Sequence, residues 1–327
     1  MMKKTARIVA LLLACMLLLG LLGGCAGKNS GIGGYVGQLS LGKVTIEDEA
    51  AILASAPAAI PVAFMPEPSG KATKSKNGAV IDYSYVTDGY VMCQYENSTQ
   101  KRLKVQVEGP TTQYSYDLVP GNWATFPLSD GNGAYKVGIY QNVSGSKYSK
   151  ITSVSFNVKL KDEFAPFLRP NQYVNYEYAV KTVEKAKELT KDETTVLDKV
   201  AAIYDYVVDN FTYDDELAAT VTSGYLPDLE KVLESKKGIC FDYAAIMAGM
   251  LRSQEIPCKL IVGYAGSVYH AWLSVYSEKD GWIDGAVFFD GKTWMRMDPT
   301  FASTGGNSKA IQQYIGDGSN YTAKYFY

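Results

Sequence analysis

The stretch Lys237-Gly238-Ile239-Cys240-Phe241-Asp242-Tyr243-Ala244 sets a cysteine just behind a chain-breaking glycine and at the head of an apolar run. Downstream, Tyr243, Ala244, Ile246, Met247, Met250 and Leu251 share one helical face, so a helix is expected over residues 241–252 with Cys240 opening it. Strands are expected over residues 259–264, 271–276 and 293–298, and Asp290-Gly291-Lys292 has the composition of a hairpin turn. Upstream, Val196, Val200, Ile203, Tyr204, Val207 and Phe211 recur at helical spacing, with Asp192 or Glu193 placed to open that helix. Helices first and an antiparallel sheet after them make residues 171–327 an α+β domain.

The chain has one histidine. It lies thirty residues after Cys240, in Tyr269-His270-Ala271-Trp272, and Asp298 follows twenty-eight residues later in Met297-Asp298-Pro299-Thr300. A thiol nucleophile reacts as the thiolate, which a helix N-terminus favours through its unpaired N–H groups and dipole. It needs a base within hydrogen-bond reach, and His270 is the one imidazole available. A carboxylate or amide must then fix the tautomer of that ring, and Asp298 ends a strand where it is free to do so. Read as metal ligands, Cys240, His270 and Asp298 lack a fourth partner and the usual close spacing, so no metal and no cofactor is expected.

The blocks Gly238-Ile239-Cys240-Phe241-Asp242-Tyr243-Ala244, Leu251-Arg252-Ser253-Gln254-Glu255-Ile256-Pro257, Val262-Gly263-Tyr264, His270-Ala271-Trp272 and Met297-Asp298-Pro299-Thr300 occur in that order. Together they resemble the core of the bacterial transglutaminase-like superfamily, with its papain-like Cys-His-Asp arrangement, over about residues 195–301. The resemblance implies that Cys240 is the nucleophile, His270 the general base and acid, and Asp298 the group that orients the imidazole. It also implies that the thiolate attacks an amide carbonyl and leaves a thioester, resolved by water or by an amine. Asn210-Phe211-Thr212-Tyr213-Asp214 resembles the family's segment before the cysteine, which makes Tyr213 an oxyanion candidate beside the Cys240 backbone N–H. No acidic cluster resembles the calcium site of animal transglutaminases. The expected function is therefore a cysteine protease or acyltransferase acting on peptide or protein amides. The alternative is a catalytically inactive surface binding or adhesion module on the same fold.

The first residues read as an address. Lys3, Lys4 and Arg7 precede a nearly pure apolar run over residues 8–22, and Leu22-Gly23-Gly24-Cys25 closes it. That order is a secretory signal, residues 1–24. Its end resembles a bacterial lipobox, in which Cys25 would be acylated. A plain transmembrane anchor competes, since residues 8–27 carry no charge, but the glycines beside Cys25 suit a cleavage site better than a helix end. The expectation is an extracytoplasmic protein, lipid-anchored to the bacterial membrane, with peptide or protein substrates that include cell-wall peptides. The whole chain carries −2; removal of three bases and no acid with the signal leaves −5. That acidity and the lack of a basic patch argue against a nucleic-acid partner. Cys93, Cys240 and Cys258 are an odd number, so at least one thiol stays free.

Residues 25–75 are rich in Gly, Ser, Ala, Pro and Lys and read as a tether. Over residues 76–160, runs such as Leu103-Lys104-Val105-Gln106-Val107 and Tyr135-Lys136-Val137-Gly138-Ile139 alternate with period two between turn signals such as Asp130-Gly131-Asn132-Gly133. Short strands at this spacing indicate an all-β, Ig-like sandwich, with Cys93 in its core. Two prolines within residues 161–170 read as a linker, so the part beyond it is expected to fold alone. Tyr314, Tyr321, Tyr325, Phe326 and Tyr327 are too apolar for a free tail and are expected to pack back on a domain. The fold class is thus multidomain, an all-β sandwich followed by an α+β transglutaminase-like domain.

Overall fold

The structure is a computed structural model describing residues 65–278, 281–284, 287–289, 294–296 and 320–327. The expected signal segment, Cys25, most of the expected tether, Asp298 and Tyr314 lie outside the described residues.

Eight strands follow one another in the first part: β1 (Thr73–Lys76), β2 (Ala79–Asp82), β3 (Tyr90–Tyr95), β4 (Leu103–Glu108), β5 (Gln113–Leu118), β6 (Ala124–Pro127), β7 (Gly133–Ser144) and β8 (Lys147–Val158). They form two four-stranded antiparallel sheets, ordered β1-β2-β3-β6 and β5-β4-β7-β8. The period-two pattern decides which side chains are inward. Leu103, Val105 and Val107 of β4, Tyr114, Tyr116 and Leu118 of β5, and Tyr135, Val137 and Ile139 of β7 are buried, as is Cys93.

The segment after β8 is not an exposed linker. Residues 165–171 are buried throughout. Arg169 explains why: its Nε donates to the Asp88 carbonyl at 3.0 Å, and its guanidinium lies 5.0 Å from the Tyr90 ring centre. Pro166 and Pro170 shape a packed connection here, because proline removes a donor that would otherwise have to be satisfied in the interior. The two parts share one buried cluster. Tyr327 sits edge-on to Tyr114, Tyr116 and Tyr173, with ring centres 5.7, 5.7 and 4.5 Å away. A fragment starting at 170 would therefore expose Tyr327 and Tyr173 where Tyr114 and Tyr116 now cover them, contrary to the expectation of independent folding.

The second part opens with α1 (Val180–Thr190), α2 (Val196–Asn210), β9 (Thr212–Tyr213), α3 (Asp215–Thr220), α4 (Leu229–Ser235) and β10 (Lys237–Gly238). Helix α2 buries Val200, Ile203, Tyr204 and Val207, the face its periodicity marks. Its cap is Thr195, not Asp192 or Glu193; the Thr195 hydroxyl accepts from the Asp198 N–H at 3.1 Å, as an N-cap side chain does. Helix α5 (Cys240–Ser253) is buried from Asp242 to Ser253. A sheet follows, ordered β13-β12-β11-β16, from β11 (Cys258–Ala265), β12 (Val268–Ser277), β13 (Gly281–Asp284) and β16 (Tyr321–Phe326). Strands β14 (Val287–Phe289) and β15 (Trp294–Arg296) pair antiparallel. The terminal aromatics do pack back: β16 pairs with β11, and Tyr327 is buried.

Arg252, fully buried at the end of α5, ties three segments together. Its Nε and Nη2 donate to the Cys258 carbonyl at 2.9 and 2.7 Å, Nη1 to the Arg169 carbonyl at 2.9 Å, and Nη2 to the Tyr327 carbonyl at 2.6 Å. These are charge-assisted bonds, and the planar fork suits three carbonyls in a way that an ammonium does not. Arg252→Met removes every donor of the fork: the Tyr327 carbonyl keeps the Leu260 N–H at 2.9 Å, while the buried Cys258 and Arg169 carbonyls lose a charge-assisted bond, a loss of about 1–3 kcal/mol each. The expected loss is about 3 kcal/mol or more in urea unfolding, with Arg252→Lys recovering only a small part. A loss below about 1 kcal/mol would show that the tie is not structural.

Candidate active site

Cys240 is the first residue of α5, and a single carboxylate shapes the turn that carries it. Asp242 is wholly buried. Its Oδ2 accepts from the Ile239 N–H at 2.9 Å, and its Oδ1 accepts from the Tyr225 hydroxyl at 2.7 Å. The first bond is the returning half of a capping box, satisfying an N–H that the helix leaves unpaired. Gly238 is required for it: a Cβ at that position would lie 2.6 Å from the Asp242 Cβ. Burial raises the pKa of Asp242, and the bonds from Tyr225 and Ile239 oppose that rise. Burial likewise raises the Tyr225 phenol, with its hydrogen bond to Asp242 as the next cause.

Strand β10 pairs in parallel with β9, placing Gly238 beside Tyr213. The Asp214 N–H donates to the Gly238 carbonyl at 2.9 Å, and the Asp214 Oδ1 accepts from the Leu217 N–H at 2.9 Å to cap α3. Hydrogen bonding from Leu217 holds the Asp214 carboxyl below its ordinary pKa. Backbone pairing thus fixes Tyr213 next to the turn that carries Cys240.

His270 is on β12, opposite Gly263 of β11. Gly263 is a close-approach position: an added Cβ would lie 2.1 Å from the Thr322 carbonyl oxygen and 2.9 Å from the Ala323 Cα, both on β16. That lets β16 run beside β11 at the bulge between Val262 and Gly263. His270 and Trp272 point to the same face, two residues apart on a strand. Their rings are nearly parallel with centres 6.3 Å apart, and Tyr321 lies 5.1 Å from Trp272 and 6.4 Å from His270. With 3% of its surface exposed, His270 is held by aromatic packing.

Cys240, His270 and Tyr213 line one cavity of about 380 Å³. Asp298 lies outside the described residues, so of the four candidates three meet. Cys240 is half-buried, whereas Cys93 and Cys258 are free and fully buried. Burial pushes the Cys258 thiol up to about 12 and the Cys93 thiol still further from its ordinary value. Both are inert core residues, and Cys240 is the described cysteine that opens on a cavity. Among the described residues no group of three or more His, Cys, Asp or Glu could hold a metal ion, and no helix is long and apolar enough to cross a membrane.

Several lining residues were not singled out from the sequence. Tyr225, Gln172, Tyr173 and Tyr327 reach the cavity from loops and the chain end, and Lys104, Ser115, Tyr116 and Asp117 reach it from β4 and β5. Asp242 did carry a signal, an acid at the third position of a helix after a glycine, which is the pattern of a returning cap. Tyr116 carried none beyond strand alternation, which reads only as core.

Residues 183–299 match the family model of the transglutaminase-like superfamily core. The uncharacterised Bacillus subtilis protein YebA is 32% identical over 118 residues, covering 30% of this chain and 16% of YebA. The chain therefore spans about one sixth of the length of that curated relative. Among solved structures, a presumptive cysteine protease from Cytophaga hutchinsonii aligns over 73% of this chain and 83% of its own, at 16% identity and a TM-score of 0.38. The periplasmic domain of TgpA from Pseudomonas aeruginosa, bound to ethylmercury, aligns over 63% of this chain and 91% of its own, at 16% identity and a TM-score of 0.32. Residues 183–299 are a transglutaminase-like core domain, carried in one chain with a β-rich region of strands between 73 and 158.

Proposed function

We propose that this chain is a transglutaminase-like cysteine enzyme acting on peptide or protein amides through a thioester. The observation that carries the reading is that Cys240, at a helix N-terminus, and the chain's one histidine line the same cavity. His270 takes the thiol proton, and the Cys240 sulfur attacks the amide carbonyl. The Cys240 N–H, with Tyr213 as the candidate second donor, stabilises the oxyanion. His270 returns the proton to the leaving nitrogen as the C–N bond breaks, releasing ammonia or an amine. Water or an amine, deprotonated by His270, then opens the thioester and restores the thiol. Asp298 is assigned the role of orienting the imidazole.

The basic, apolar and Leu22-Gly23-Gly24-Cys25 segments support secretion and lipid attachment at Cys25, with peptide or protein substrates, cell-wall peptides among them, met outside the membrane. The two four-stranded sheets support an Ig-like sandwich for the first part.

The test is mass spectrometry of glutamine-containing peptides incubated with the protein, with and without a primary amine. Wild type should give hydrolysed or amine-linked product. Cys240→Ala should give none. His270→Ala should lose about 100-fold or more, and Asp298→Ala less than that, because it orients rather than reacts. Turnover that survives Cys240→Ala would overturn the reading.

The Asp242 cap makes a separate prediction. Tyr225→Phe removes one donor from a buried carboxylate without changing shape, and Asp242→Ala removes both bonds. Stability should fall by about 1 kcal/mol for the first and about 2 kcal/mol or more for the second. Turnover should fall in the same order, since both substitutions loosen the turn that aims Cys240. Full activity in a folded Asp242→Ala protein would mean that the cap does not position the nucleophile.

A further inference from the structure

The cavity that holds Cys240 and His270 is walled on one side by the β-rich region. Ser115, Tyr116 and Asp117 of β5 all border it. Successive side chains of a strand point to opposite faces, so three consecutive residues border one cavity where it runs along the strand's edge. Strand β5 is such an edge: it is first in the order β5-β4-β7-β8, and among the described residues it pairs with β4 alone. The ladder decides which backbone groups face outward, because bonded and non-bonded pairs alternate along an antiparallel pair. The Asn142 N–H of β7 donates to the Arg102 carbonyl at 2.8 Å, and the Gly109 N–H donates to the Thr112 carbonyl at 2.9 Å. On β4 the even-numbered residues therefore bond to β7 and the odd-numbered ones to β5. Tyr114, Tyr116 and Leu118 take the bonds from β4, which leaves the N–H and C=O of Ser115 and Asp117 aimed away from the sheet. The Asp117 carbonyl agrees, since it accepts from the Gln172 Nε2 at 2.9 Å. Ser115 is exposed, and among the described residues its outward N–H and C=O have no hydrogen-bond partner.

Gln172 shows what the edge accepts. Its carboxamide N–H sits on the Asp117 carbonyl where the N–H of an added strand would sit, and it ends the free edge there. Gly224 closes the same end: a Cβ at that position would lie 3.0 Å from the Asp117 Oδ2, and the same carboxylate pairs with Arg102 at 3.2 Å. Ser115 lies on the open side of this stop. Its N–H and C=O are uncharged and are matched by the C=O and N–H of another backbone, the pairing on which strand addition relies. From the edge to Cys240 the way is short. Tyr116 stacks on Tyr173 with ring centres 5.6 Å apart, and Tyr173 lies 5.4 Å from Phe241, the residue after Cys240. At about 3.3 Å per residue, about three residues of extended chain cover that span.

We propose that β5 is a docking edge, on which an extended peptide adds as a strand at Ser115 and carries its glutamine to Cys240. The inference rests on the catalytic reading above for the identity of the reacting group, and its test keeps the two apart. The probe is acetyl-Thr-Val-Thr-Gln-Thr-Val-Thr-amide, whose β-branched residues favour the extended chain. Binding is measured by calorimetry on the full chain carrying Cys240→Ala, where turnover cannot interfere. Adding Ser115→Pro should weaken binding at least about tenfold, because proline removes the N–H and sets a ring on the edge. The unfolding midpoint should stay close to its starting value, since an outward N–H is where a strand tolerates proline. Ser155→Pro is the matched control: Ser155 also faces away from the sheet, on β8 at the opposite edge, and is no part of the cavity lining. That change should leave the affinity as it was. A scan of the peptide, one amide N-methylated at a time, needs no protein variant and keeps the test open if Ser115→Pro fails to fold. Methylation at one amide within about three residues of the glutamine should weaken binding about tenfold, while alanine in place of the side chain there should cost less than about threefold. With Cys240 intact, Ser115→Pro should raise KM for the heptapeptide. Equal affinity in a folded Ser115→Pro chain, a flat methylation scan, or no binding at all would overturn the docking edge. So would a dimer of the free chain that Ser115→Pro dissociates, because the edge would then belong to a second copy. Heptapeptide binding that depends on Ser115, without turnover by the wild type, would sink the catalytic reading and leave the docking edge standing.

Discussion

The buried Asp242 carboxylate is the constraint on which the site depends. It sits two residues beyond Cys240, and its two oxygens serve different masters: one fixes the Ile239 N–H at the helix start, the other takes the Tyr225 hydroxyl. A carboxylate out of water is tolerated only when hydrogen-bonded, so both donors must be present for the turn to hold this shape. Gly238 is there because no other residue leaves space for Asp242. From that turn Cys240 acquires a fixed position, Tyr213 a fixed neighbour through β9 and β10, and the Tyr225 loop a fixed attachment to the cavity.

A second constraint joins the two parts of the chain. The Arg252 guanidinium gathers carbonyls from residues 169, 258 and 327, and the last of these delivers the Tyr327 ring between Tyr114, Tyr116 and Tyr173. The aromatic seam that results is also a wall of the cavity. The same tyrosines therefore pack the seam and line the cavity, which brings the β-rich region beside Cys240.

Much of this was legible in the residues. The period of two in β4 and β7, the helical spacing of α2, and the glycine-cysteine start of α5 each follow from local physics that tertiary contacts did not overturn. Cys240 and His270 stand out in the sequence because thiols and imidazoles are few and chemically distinctive, and the structure places both, with Tyr213, on one cavity. The connection through Pro166 and Pro170 was misread, because proline marks a break in regular structure and says nothing about burial. Thr195 was missed as a cap because Asp192 and Glu193 are equally good local candidates, and only the backbone path chooses among them. Tyr116 and Gln172 were illegible in principle. Their place on the cavity comes from a meeting of β5 with residues more than fifty positions later, and a lone tyrosine in a strand announces nothing but core. Cys25 and Asp298 lie outside the described residues, so the proposed anchor and the proposed orienting carboxylate rest on the sequence.

The proposed chemistry turns on activation of the Cys240 thiol by His270. The rate of iodoacetamide alkylation at Cys240 near neutral pH, read by peptide mass spectrometry in the native wild-type chain and in His270→Ala, decides it. Cys93 and Cys258 serve as buried internal controls. Rapid modification confined to Cys240 is expected in wild type, with a drop of about tenfold or more when the imidazole is removed. An equal rate at Cys240 with and without His270, in a protein that remains folded, would contradict it.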